Sequence, residues 1–126
     1  MKAYPESAVM LDAVAQYLRS NGRSAASSDF NMRVSVNILE LVARELRQKD
    51  AAEAREYRRL VDLIGEGELE ALRDLFCAGI ADGTFRASDP KVLDHLRSTA
   101  IDRIAIDQPK YSAYRRAIER QATPHL

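Results

Sequence analysis

Between Phe30 and Leu46 the apolar residues Phe30, Val34, Ile38, Leu41, Val42 and Leu46 recur at steps of three and four. That spacing is one stripe of a 3.6-residue helix, so the segment predicts a central helix with this stripe as its buried face. Ser28 or Asp29 supplies its cap, and it runs to about Lys49. Upstream, Pro5 and Glu6 have the character of a first helical turn, and Leu11, Val14 and Leu18, with Met10 and Tyr17 alongside, form a second stripe that stops at Gly22. The intervening Asn21 to Ser28 is rich in Ser, Gly and Asn and reads as an exposed connection.

Downstream, Asp50 and Glu53 have the spacing of a capping box and predict the start of a third helix, with Tyr57, Leu60, Val61 and Ile64 inward and Gly65 and Gly67 as its end. A fourth carries Leu69, Leu72, Phe76 and Ile80 and closes at Gly83. Ser88-Asp89-Pro90 places a capping residue before proline at a first helical position, opening a fifth helix with Leu93, Leu96, Ala100 and Ile104 inward. Pro109 ends it near Asp107. A last short helix runs from about Lys110 to Arg120, with Tyr111, Tyr114 and Ile118 inward, and a loose tail follows. Alternating strand patterns and fixed-period repeats are absent. The expected fold is all-α, a compact bundle of five to six amphipathic helices in a single domain spanning 1–126, with an ordered core of about 5–120.

Composition narrows the function. The 126 residues are 46% hydrophobic and 30% charged with a formal net charge of zero, the balance of a globular protein. Basic and acidic residues are interspersed, with none of the excess Lys and Arg that a nucleic-acid binder uses to displace counterions, so no nucleic acid is expected. No apolar run approaches the roughly 18 residues that span a bilayer, and the N-terminus lacks the pattern of a signal peptide. The expectation is a cytoplasmic protein with no membrane association. Cys77 is the only cysteine, which excludes an internal disulfide and a thiolate metal cluster within one chain.

Few residues invite chemistry. His125 belongs to the tail; His95 shares a helical row with Thr99 and Asp102 but lacks the Glu-x-x-His or His-x-x-x-His spacing of a metal site. Cys77, beside Phe76 and Ala78, has no partner at a spacing that would activate it and reads as a buried inert thiol. Gly65-Glu66-Gly67 lacks the remaining features of a phosphate loop. No metal, cofactor or catalytic residue is therefore expected. Arg55, Arg58 and Arg59 form a basic cluster, either an anion patch or an ordinary solvated helix face. Arg33 and Asn37 lie on or beside the central stripe, and Asp107, Gln108, Tyr111, Tyr114 and Arg115 crowd the junction before the last helix. Together these seven form either a polar clamp that docks the last helix or the wall of a small pocket for an anionic or polar ligand.

Two blocks carry a resemblance: Phe30-x-x-Arg33-Val34-x-x-Asn37 with Arg44-Glu45-Leu46, and Ala105-Ile106-Asp107-Gln108-Pro109-x-Tyr111-Ser112-x-Tyr114-Arg115. Through them the chain, from about Pro5 to Arg120, resembles an uncharacterised family of small all-helical bacterial proteins. The resemblance implies a bacterial origin and gene neighbourhoods with aminoglycoside-phosphotransferase-like kinases and acyl-CoA dehydrogenases; it brings no activity and no catalytic residue. The leading expectation is a non-enzymatic helical accessory or partner protein of a kinase-like or acyl-CoA-processing enzyme. The alternative is a small-molecule binder or minor enzyme using the Arg33, Asn37, Asp107, Tyr111 and Arg115 group. Self-association through an exposed apolar stripe is a third possibility, and the partner is then a homo-oligomer.

Overall fold

The computed structural model describes residues 6–21 and 26–122, with the side chains of all of these but 21 and 26–29. The chain is all-α, and its described residues form five helices: α1 (Ser7–Asn21), α2 (Ala26–Leu63), α3 (Leu69–Asp82), α4 (Pro90–Asp107) and α5 (Ser112–Ala122). No described residue is in a strand. The expected start at Pro5 and the expected stop at Gly22 lie outside the described residues.

The break expected at Asp50 does not occur. Helix α2 passes through it without interruption and runs for 38 residues. Between Phe30 and Leu63 there is no Gly or Pro, and Ala51, Ala52, Glu53, Ala54, Arg55 and Glu56 are strong helix formers, so capping-box spacing without a breaker does not stop the helix. Since α2 begins at Ala26, Ser28 and Asp29 lie in its first turn rather than ahead of it. The last helix begins at Ser112, two residues later than expected, because the chain first turns through Gln108 to Tyr111, where the Tyr111 N–H donates to the Gln108 carbonyl at 3.1 Å. The other ends follow their signals: Asp89 accepts the Lys91 N–H at 2.9 Å ahead of Pro90, and Gly83 closes α3 at φ 84°, where a side chain would be strained.

By internal packing the chain forms two compact units, Met1–Asp50 and Ala51–Leu126, with the boundary inside α2. In the second, Leu60, Leu72, Phe76 and Val92 are buried together, with Val61, Leu63, Ile64, Leu69 and Phe85 around them. Phe85 stacks on Phe76 at 5.3 Å between ring centres, over the bare backbone of Gly79, where a Cβ would stand 2.2 Å from the Phe85 ring. The Phe85 N–H donates to the Gly79 carbonyl at 3.0 Å and fixes that approach. On α4 the inward positions are Val92 and His95, and the expected Leu93 and Leu96 are exposed. A one-residue rotation of the stripe is favourable because His95 finds polar and aromatic partners. Cys77 is exposed, not buried: α3 turns Leu72, Phe76 and Gly79 inward, and the next residue points away.

The first unit is organised differently. Among its described residues the buried ones are Ala8, Ala15, Val36 and Ala43, at steps of seven on each helix. Asp12 meets Arg47 and Arg19 meets Glu40 in ion pairs, so seven residues forward on α1 correspond to seven back on α2, and the two run antiparallel. Small side chains let helices approach closely, and here the seam is made of them. The larger residues expected inside, Met10, Val14 and Tyr17 on α1 and Phe30, Val34, Ile38, Val42 and Leu46 on α2, are exposed; only Leu11, Leu18 and Leu41 are half-buried.

Candidate functional site

In the second unit, α2 and α4 run antiparallel and exchange polar contacts turn by turn. Lys91 reaches Asp62 at 3.3 Å, Arg59 reaches both His95 and Thr99, and Arg55 forms a two-pronged pair with Asp102 at 2.9 and 3.3 Å. Row position explains this. Arg55, Arg59 and Asp62 lie on one face of α2, and Lys91, His95, Thr99 and Asp102 on one face of α4, each at three- and four-residue steps.

His95 is the buried member. Its ring sits edge-on to Phe76 at 4.7 Å, and its Nδ1 accepts the Arg59 Nε–H at 3.1 Å. Accepting at Nδ1 leaves the neutral ring's proton on Nε2. Burial, reinforced by the Arg59 guanidinium, holds its pKa below the usual histidine range, and Glu56 and Asp94 oppose this without overcoming it. The same Arg59 donates from Nη2 to the Thr99 hydroxyl at 3.1 Å. On the α3 side Glu56 accepts two bonds from Arg73, at 2.7 and 3.0 Å, and Arg73 also meets Glu70. The hydrogen bonds from Arg73 hold the Glu56 carboxyl below its ordinary value. Such an array fixes the docking of three helices. Arg59 and His95 satisfy each other, as do Arg73 and Glu56, and no buried side-chain nitrogen or oxygen among the described residues lacks a partner.

The basic cluster is thereby distributed. Arg55 is committed to Asp102 and Arg59 to His95 and Thr99, while the Arg58 Nε–H donates to the Ala54 carbonyl at 3.4 Å. His95, Thr99 and Asp102 were visible in the sequence as a row; its match with Arg55 and Arg59 was not, because nothing in the sequence states which two helices are neighbours.

Of the seven residues grouped as clamp or pocket, Arg33 and Asn37 belong to the first unit, where both side chains are exposed and carry no burial cost. The other five belong to the second. Asp107, Gln108 and Tyr111 line an open cleft of about 360 Å³ at the elbow of α4 and α5, with Ala100, Arg103 and Ile104. Tyr114 is half-buried, and Arg115 is exposed with its N–H bonded to the Tyr111 carbonyl at 3.1 Å. Gln108 closes α4, its N–H bonded to the Ile104 carbonyl.

The most distinctive surface is on the first unit. Phe30, Val34, Ile38, Val42 and Leu46 are 63%, 41%, 54%, 37% and 53% exposed, an unbroken apolar ridge. With about 100° of rotation per residue, Val36 and Ala43 lie some 140–160° around α2 from Ile38, so the middle of the ridge faces away from the alanine seam. On α1, Met10 and Val14 are likewise turned out from Ala8 and Ala15. The hairpin therefore has an apolar outer surface on each helix.

Among the described residues no group of three or more His, Cys, Asp or Glu is placed to hold a metal ion, and no helix is long and apolar enough to cross a membrane. No curated protein and no solved structure matches the chain. Residues 23–111 do match a family, from the middle of the α1–α2 connection to the elbow tyrosine, a span that holds both the apolar ridge and the α2–α4 array. The chain belongs to the family described as Domain of unknown function (DUF6285).

Proposed function

We propose that this chain is a non-enzymatic helical partner protein, an accessory subunit that acts by packing its first unit against other proteins. One observation carries this: the α1–α2 hairpin hides alanines and presents its larger apolar side chains on both outer surfaces. Apolar patches of this extent, rimmed by charge, are the usual mark of an interaction surface. The polar array of the second unit supports the same reading, since its charged groups are engaged in holding helices together.

The partner we propose is a bacterial enzyme, kinase-like or acyl-CoA-processing, as the resemblance of the two sequence blocks implies. The α1 face, with Met10 and Val14, is its docking surface. The test is affinity capture of the tagged chain from its native host, with a Met10→Asp/Val14→Asp variant as control. The expected result is an enzyme of one of these two sorts, recovered by the parent chain and lost from the variant. Recovery of neither above background overturns the assignment.

A further inference from the structure

We propose that the outer ridge of α2 is a self-association surface, occupied by a second copy of this chain across a two-fold axis beside Ile38. This rests on the reading of the first unit as a module built to be covered, and it names the occupant of one of its faces.

The ridge has a definite geometry. Phe30, Val34, Ile38, Val42 and Leu46 are spaced at steps of four alone, and each such step advances about 40° around the helix, so the row runs obliquely over about 24 Å. A seam that follows the helix axis, as in a coiled coil, needs steps averaging 3.5. A row of fours is instead one of the oblique ridges that interdigitate with another of the same kind at a crossing angle of about −50°. The ridge therefore fits a second ridge like itself, crossing at its midpoint.

Its composition is symmetric about that midpoint. Ile38 is flanked by Val34 and Val42, and these by Phe30 and Leu46. A two-fold interface brings the same patch from both copies together, so a surface that reads alike in both directions is suited to it. With the helices antiparallel, Val34 of one copy meets Val42 of the other. The zero formal net charge leaves no overall repulsion between copies.

The area is adequate. At the exposures above, the five side chains offer at most about 400 Å² of apolar surface per copy, taking about 200 Å² for Phe30 and no more than about 150 Å² for each aliphatic one. Apolar atoms make up about 57% of an ordinary interface. The ridge thus approaches the apolar share of a standard interface of about 800 Å² per partner.

The test uses the full chain with Cys77→Ser, since Cys77 is exposed. Light scattering coupled to chromatography over a hundredfold concentration range should give twice the 14.1 kDa chain mass at the upper end, and Ile38→Asp should give the single mass at all concentrations with its helical circular dichroism intact. Ile38→Cys should form a disulfide-linked dimer on mild oxidation, because an axis beside Ile38 brings the two Cβ atoms within bonding reach. Val34→Cys mixed with Val42→Cys should cross-link to each other in preference to themselves. A single mass throughout, or a parent dimer that persists with Ile38→Asp and an Ile38→Cys that does not link, overturns the proposal. Enzyme capture through the α1 face is scored separately with the Met10→Asp/Val14→Asp variant, so a monomer that still recovers the enzyme refutes only the self-association.

Discussion

Among the described residues, the largest fully buried side chains of the second unit are Leu60, Leu72 and Val92, with Phe76 beside them; in the first the buried residues are Ala8, Ala15, Ala43 and Val36. The second unit draws its large residues into one cluster and pairs the charges around it, so its helices are held by burial and by polar contacts of matched register. The first unit brings two helices together along small residues and leaves the large ones outside. Apolar periodicity therefore has two structural meanings in one chain. A stripe of leucine and phenylalanine in a four-helix unit is a core, whereas a stripe of the same character on a two-helix unit, with alanine on the opposite side, is an outer surface.

The largest effect that tests this contrast comes from emptying the two stripes in parallel. Leu60→Ala removes a side chain with no exposed surface and should cost about 2–5 kcal/mol, as buried leucine truncations do. Ile38→Ala removes one that is 54% exposed and should cost less than about 1 kcal/mol in dilute solution. Urea unfolding of both variants checks the pair. Equal losses would mean that the ridge is part of an intrachain core and would undo the contrast.

A smaller effect probes how the second unit closes. Gly79→Ala gains helix propensity but places a Cβ 2.2 Å from the Phe85 ring, which stands on the Phe76 face. The overpacking should dominate, with a loss of about 1–3 kcal/mol. Phe85→Leu in the same chain should recover part of it, giving a non-additive pair in a double-mutant cycle. Additive losses would mean that the ring moves aside and that Gly79 is there for another reason.

The all-α class and most helix ends were legible in the sequence because they depend on local signals: Asp89 before Pro90, Gly83 at a left-handed φ, Pro109 after Asp107. The continuity of α2 was not, since Asp50 and Glu53 mimic a start and only the absence of any Gly or Pro from Phe30 to Leu63 argues against it. Ile80 on α3 and Tyr111 and Ile118 at α5, also expected inward, are exposed, and the inward faces of α1, α2 and α4 were misread for a shared reason. Hydrophobic periodicity locates apolar stripes but gives little weight to alanine seams, as at Ala15 and Ala43, or to a histidine that is worth burying, as at His95. Three of the seven residues grouped at the candidate site, Asp107, Gln108 and Tyr111, line one cleft because they are near in sequence. The joining of Arg59 with His95 and Thr99 depended on which helices pack together, a long-range fact that local spacing does not contain.

The smallest expected effect concerns that histidine. His95 is held below the usual histidine pKa by burial first and by Arg59 second. The unfolded chain therefore binds this proton at higher pH than the folded chain does, and stability rises with pH across the interval between the two values. The contribution is complete above the unfolded value of about 6.5 and is lost as pH falls towards the lowered folded value. Glu56 acts at lower pH in the same direction: its carboxyl is held down by Arg73, and its contribution, present above about 4.5, is lost as pH falls through its folded value. Replacing His95 with Gln keeps an acceptor for the Arg59 Nε–H and removes the titration. Urea midpoints for the parent chain should fall already in weak acid, starting below about pH 6.5, whereas those for His95→Gln should stay level until Glu56 begins to protonate. Parallel curves for the two proteins would show that the His95 proton is not excluded by the fold and that the Arg59 contact does not depend on a neutral ring.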